Sequence, residues 1–166
     1  MQIMRRAFLL LPPLVQSQIM TNVTIKTTNT ETNAQPVVKL PLTSVHTFTV
    51  FPDDLNFAGT LFGGKVLAEM DIAAVNAARR LLYGVQYDAV VTASLSRVDF
   101  IAPAHLGDII EIKSRIVKLG RTSIELVVQV QKEDNNGHFT TICEADFTFV
   151  VIKAGKPFPH GKVLPN

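Results

Sequence analysis

The chain has 166 residues, 47% of them hydrophobic, and a formal net charge of +2. That length supplies one core and excludes a second full-sized domain, while scattered Lys and Arg without a basic run, and 7% aromatics, exclude a dedicated nucleic-acid surface. A single cysteine, Cys143, excludes an internal disulfide and fits a buried thiol in a reducing, cytoplasmic setting.

Residues 1–40 come first. Arg5 and Arg6 precede an apolar stretch from Ala7 to Val15, the outline of an export signal. Two prolines interrupt it, no small-x-small cleavage site follows, and it falls short of the roughly 20 residues a membrane helix needs. Neither export nor membrane insertion is expected, and Met20 offers an alternative translation start. The Thr- and Asn-rich stretch that follows has little hydrophobic pattern and reads as a disordered arm. The expected organisation is an N-terminal extension over 1–40, a folded domain over 41–155 and a C-terminal tail over 156–166.

Within the domain, SVHTFTVFP (Ser44–Pro52) reads as a strand that Pro52 ends. A loop leads to Gly63 and Gly64, and a helix is predicted from Gly64 to about Leu82, with Leu67, Met70, Ala74, Ala77, Ala78 and Leu81 forming its buried stripe. Four strands follow: Ala89–Phe100, Asp108–Leu119, Ser123–Asp134 and His138–Lys153, with turns at Gly120-Arg121 and Asn135–Gly137. One long helix with about five strands predicts an α+β domain, a curved and mainly antiparallel sheet wrapped around the helix. Such a sheet leaves an open edge, which a second copy would cover.

Gly59, Gly64 and Lys65 satisfy the phosphate-loop spacing G-x-x-x-x-G-K, but Val66 occupies the position of the magnesium-binding hydroxyl, which argues against nucleotide hydrolysis. His46, His105, His138 and His160 show no metal-ligand spacing, so no metal is expected and these side chains are assigned to the surface or to loops. TASLS lacks the glycines of a nucleophile elbow, leaving Ser94 and Ser96 as strand residues.

Two features call for chemistry. Gly63 and Gly64 either ease a tight loop-to-helix junction or present free backbone amides that polarise a carbonyl as an oxyanion site. Asp71 lies beside the apolar stripe of the helix, where desolvation is costly unless the carboxylate is used; it is either a paired interface acid or a general base. Seven residues at about 1.5 Å each put it roughly 10 Å along the axis from the glycines, whereas a base must come within about 3 Å of its target. Antiparallel helices from two copies would bring each aspartate to the other's helix start, giving a site shared across a dimer.

The segments DDLNFAGTLFGGKVLAEMD, VVTASLSRVDFIAPAHLGD and KLGRTSIEL, in that order, resemble the acyl-CoA thioesterases of the hot-dog fold, in particular the bacterial short- and medium-chain acyl-CoA hydrolase branch. The resemblance runs from Val45 to Val151. It implies a helix wrapped by an antiparallel sheet, a homodimer as minimal unit, a trimer of dimers as the assembly, and hydrolysis of acyl-CoA to a free acid and CoA. It further implies that Asp71 is catalytic, as base or nucleophile, and that amides at Gly63-Gly64 hold the thioester oxygen. Related members carry a polar residue, often Asn or Asp, directly after the loop glycine, where this chain has Thr60, so that contribution falls to the Thr60 hydroxyl, to Asn56 or to no residue of this chain. The G-R-T-S turn, Gly120, Arg121, Thr122 and Ser123, resembles the CoA-contacting hairpin, with Lys118 and Arg121 available for phosphate, and Thr92 and Ser94 would border the pantetheine channel. No cofactor is implied, CoA being part of substrate and product. Two other readings of such a domain are a non-catalytic acyl-CoA-binding sensor, for which residues 1–40 offer no helix-turn-helix pattern, and an acyl-thioester hydratase, for which the helix offers no histidine.

Overall fold

In the computed structural model, residues 43–164 are described; the expected extension over 1–40 lies outside them. The elements are β1 (Thr43–Thr49), a single 3-10 turn (Pro52–Asp54), α1 (Gly63–Leu81), β2 (Ala89–Phe100), β3 (Ile109–Leu119), β4 (Ser123–Glu133), β5 (Phe139–Lys153) and β6 (Lys156–Pro157). All strand pairs are antiparallel, in the order β1-β3-β4-β5-β2, with β6 folded back on β5. This is the predicted architecture, one long helix packed on a curved antiparallel sheet.

Alternation in β3, β4 and β5 puts Ile110, Ile112 and Ile116, then Ile124, Leu126, Val128 and Val130, then Ala145, Phe147, Phe149 and Val151 into the core, as a period-two strand requires when one face is covered. The helix lays Val66, Met70, Ala73, Ala74, Ala77, Ala78 and Leu81 against them. Four alanines in that stripe let the backbone of α1 lie close to the sheet, and the bulk is supplied from the sheet side, where Phe147 and Phe149 stack with ring centroids 6.1 Å apart. Ala73 belongs to this stripe, and Leu67, expected in it, is only half-buried.

Three local features differ from the sequence reading. β1 stops at Thr49 because Pro52 opens the 3-10 turn, which Asp54 closes by accepting the Phe51 amide at 2.9 Å. The residues after Lys153 are bound to the domain through β6 and its continuation. His160, assigned to the surface or to a loop, lies in a loop but is buried at 4% exposure. Cys143 is buried as expected, its Sγ 3.8 Å from Met70 Sδ.

The two sheet edges are unlike. β1 is short and rich in threonine, whereas β2 has twelve residues, most of them exposed, among them the apolar Val91, Leu95 and Phe100.

Candidate active site

The loop before α1 is built by Asn56. Its Oδ1 accepts from the amides of Ala58 (2.9 Å) and Thr60 (3.2 Å), and its Nδ2 donates to Thr60 Oγ1 at 2.9 Å. Gly59 completes the turn at φ +78°, a conformation glycine adopts without strain. The polar head of Asn56 is thereby spent on shaping the loop and orienting Thr60.

Helix α1 begins at Gly63 with Phe62 as N-cap and no side-chain cap, so the amides of its first turn lack the usual partner. A Cβ on Gly63 would lie 3.3 Å from the Phe100 ring, and one on Gly64 would lie 2.4 Å from the Phe62 ring. The glycines therefore admit two aromatic rings over the helix start. A cavity of about 400 Å³ opens here, lined by Asn56, Thr60, Gly63, Phe100, Ile101 and Pro103. From sequence, Phe100 and Ile101 stand within the segment that carries the resemblance, and neither is assigned to the site; the signal available is two large apolar residues ahead of Pro103, where β2 ends.

Lys65 does not reach toward this cavity as a phosphate lysine would. Its ammonium lies 2.8 Å from Glu69 and 3.3 Å from Asp54, and the Glu69 carboxylate holds its pKa above the ordinary lysine value, with Asp54 adding to the effect. Glu69 also meets His46 Nε2 at 3.1 Å.

Two turns along α1, Asp71 is half-buried and accepts a hydrogen bond from Thr92 Oγ1 at 2.6 Å. The desolvation inferred from sequence is thus partial within a single chain, because Asp71 stands beneath the open β2 edge. Asp71 and Gly64 are seven residues apart within α1, roughly 10 Å by its rise, too far for Asp71 to serve a group held at its own helix start.

The register of β2 separates two residues that sequence grouped. Thr92 aligns with buried Phe149, but the pairing shifts at Ala93 and Ser94 aligns with Thr148. Thr92 therefore faces the helix and Ser94 the outer surface, since a bulge reverses the alternation, and the two cannot line one channel within a chain.

The hairpin from β3 to β4 carries the remaining candidates. Gly120 N–H donates to Ser123 O at 2.9 Å, and a Cβ on Gly120 would fall 2.4 Å from Ser123 Oγ, so a larger residue there would turn that hydroxyl aside. Arg121 is exposed. Lys118 is less available than expected, its Nζ donating to Glu125 Oε1 at 2.8 Å. The expected site residues thus form three groups: the helix start with Asn56 and Thr60, the Asp71–Thr92 pair, and the hairpin.

Among known proteins, the Thioesterase superfamily matches residues 58–137. An uncharacterized acyl-CoA thioester hydrolase of Bacillus subtilis, YkhA, is 37% identical over 125 residues, covering 74% of this chain and 70% of that protein. An apo-hexameric acyl-CoA thioesterase is similar in structure, with a TM-score of 0.68 at 38% identity, covering 75% of this chain and 79% of that one. An acyl-CoA hydrolase from Staphylococcus aureus, solved with butyryl-CoA, CoA and CoA disulfide, gives a TM-score of 0.67 at 34% identity over 75% of each chain. That hydrolase has also been solved with an aspartate, an asparagine and a threonine each replaced by alanine.

Proposed function

The chain belongs to the hot-dog acyl-CoA thioester hydrolases, and on that footing we propose that it hydrolyses acyl-CoA at a site completed by two copies, with Asp71 of one facing the helix start of the other. The observation that carries this reading is the separation of Asp71 from Gly63-Gly64 on a single helix that lies beneath the β2 edge, which no other described strand pairs and which exposes Val91 and Leu95. Extending the sheet across that edge with a second, antiparallel copy would cover Val91 and Leu95, and would also cover Ile72, which α1 leaves 47% exposed next to Asp71.

In the Staphylococcus hydrolase, the replaced asparagine and aspartate are fifteen residues apart, the separation of Asn56 and Asp71. The threonine replaced there lies seventeen residues after the aspartate, whereas Thr92, the hydroxyl bound to Asp71, lies twenty-one after it, so the agreement is in type and order alone. The asparagine–aspartate spacing supports roles for Asn56 and Asp71, and the hexameric relative supports assembly beyond a dimer.

The chemistry follows from the groups. The thioester carbonyl enters the 400 Å³ cavity with its oxygen at the Gly63-Gly64 amides, which stabilise the charge that develops on attack. The partner copy's carboxylate at position 71 takes a proton from water as the water adds to the carbonyl carbon. Collapse of the tetrahedral species expels CoA as thiolate, a leaving group that needs no further activation. Thr92 holds the carboxylate oriented, Asn56 keeps Thr60 and the loop in place, and the Arg121 hairpin receives phosphate groups of CoA. A non-catalytic acyl-CoA sensor is disfavoured because such a sensor has no need of a carboxylate held by Thr92 two turns along the helix beneath the β2 edge.

Thiol release from acyl-CoAs of increasing length, by wild type and Asp71→Ala side by side, tests the reading. Release by wild type with a loss on the order of 10²–10⁴ in kcat for the variant is expected. Binding of acyl-CoA without release by either would support the sensor.

A further inference from the structure

The tail that follows β5 does more than end the chain. After β6, Phe158 N–H donates to Val151 O at 2.8 Å, and the chain then crosses to the β3–β4 hairpin. There His160 N–H donates to Arg121 O at 3.2 Å, and the His160 ring contacts Ser123 O through Nε2, also at 3.2 Å. Lys162 N–H lies 3.1 Å from Nδ1, and Lys162 Nζ donates to Tyr83 O at 2.9 Å, which fastens the tail to the segment after α1.

These partners define the ring. A carbonyl only accepts, so Nε2 carries the proton; an amide N–H only donates, so Nδ1 is bare. The neutral ring thereby satisfies both nitrogens in a site where it is 4% exposed.

The consequence lies in the hairpin. Arg121 O is held by His160 N–H, Thr122 O by Val151 N–H at 2.9 Å, and Ser123 O by both Gly120 N–H and the His160 ring. Three consecutive carbonyls are turned into the tail and β5. A hairpin that meets phosphate must keep its carbonyl oxygens away from the anion and its cation and hydroxyls toward it.

The geometry points to His160 as a positioning residue for CoA binding: it locks the Gly120–Ser123 hairpin with its carbonyls inward, so that Arg121 meets the CoA phosphates without first being ordered. This rests on the reading of that hairpin as the CoA contact. His160 touches no substrate and acts through Arg121.

The test measures the Kd of CoA, together with KM and kcat for one acyl-CoA, in the full-length protein carrying His160→Leu, His160→Gln, Arg121→Ala or His160→Leu with Arg121→Ala. His160→Leu should raise Kd and KM about tenfold, the weight of one or two net hydrogen bonds, with kcat within about twofold of wild type. His160→Gln, which keeps a donor for Ser123 O, should recover most of the affinity. The double variant should bind no more weakly than Arg121→Ala alone, because one residue acts through the other. Unchanged KM in His160→Leu beside a raised KM in Arg121→Ala would overturn the latch and leave the hairpin reading standing. Unchanged KM in Arg121→Ala would remove the hairpin reading and the latch with it. Additive losses, or a fall in kcat as large as the rise in KM, would also overturn the latch, since a merely structural defect gives that pattern.

Discussion

On the proposed reading, Asp71 and Thr92 form the pair on which the chemistry depends. The hydroxyl donates to one carboxylate oxygen at 2.6 Å, and on the proposed reading the other meets water. Replacing Thr92 by Val keeps the shape and removes the donor, so kcat should fall about tenfold, the effect of losing one charge-assisted hydrogen bond in a transition state. An unchanged kcat in Thr92→Val would show that the carboxylate is oriented by something else. Cys143 gives the contrasting case of a reactive residue type with no role. Burial pushes its thiol up to about 11, with Asp99 and Glu144 adding to the rise. Because the neutral form is favoured, on the order of one thiol in a thousand is ionised at pH 8. Iodoacetamide at that pH should therefore leave the native enzyme active, and stoichiometric inactivation by one alkylation would contradict the burial.

At the scale of elements, α1 serves two purposes from one sequence. Its alanine stripe sets a close helix-to-sheet distance, and Ala78→Leu should cost about 1–3 kcal/mol by overpacking, read as a lowered urea midpoint with unchanged slope. Its start offers amides, and Gly63→Pro removes one of them while suiting the first helical position, since the preceding Phe62 is extended at ψ 126°. The added Cβ would sit 3.3 Å from the Phe100 ring, a crowding that Gly63→Ala reproduces with the amide kept; Gly63→Pro should fold and assemble yet fall about 10²–10³ below Gly63→Ala in kcat, and equal activity of the two would exclude the Gly63 amide as an oxyanion donor. Much of this was legible in the sequence. The i, i+3, i+4 pattern of α1 and the alternation of β3 to β5 report a half-covered sheet directly, because each face is either core or solvent. β2 misled where it mattered: period two read straight through TASLS places Thr92 and Ser94 on one face, and the bulge at Ala93 that reverses them leaves no compositional mark. The tail was illegible for a related reason, since β6 is two residues long and His160 is held by backbone groups remote in sequence.

For the whole molecule, the proposed reading ties the β2 edge, which no other described strand pairs, to the divided site. A monomer places Asp71 beneath that edge and roughly 10 Å along the helix from the amides it would serve; in the proposed pair, a second copy would close the sheet and complete two sites together. Complementation between inactive subunits measures this directly. Asp71→Ala and Gly63→Pro are each expected to be inactive as homodimers, and a mixed dimer would hold one site with both groups intact and one with neither. Unfolding the two variants together and refolding them should restore about a quarter of wild-type thiol release, because random pairing makes half the dimers mixed and each mixed dimer has one working site of two. Release that stays at the level of the separate variants, in a mixture shown to contain mixed dimers, would place Asp71 and the helix start in one chain's chemistry and contradict a shared site.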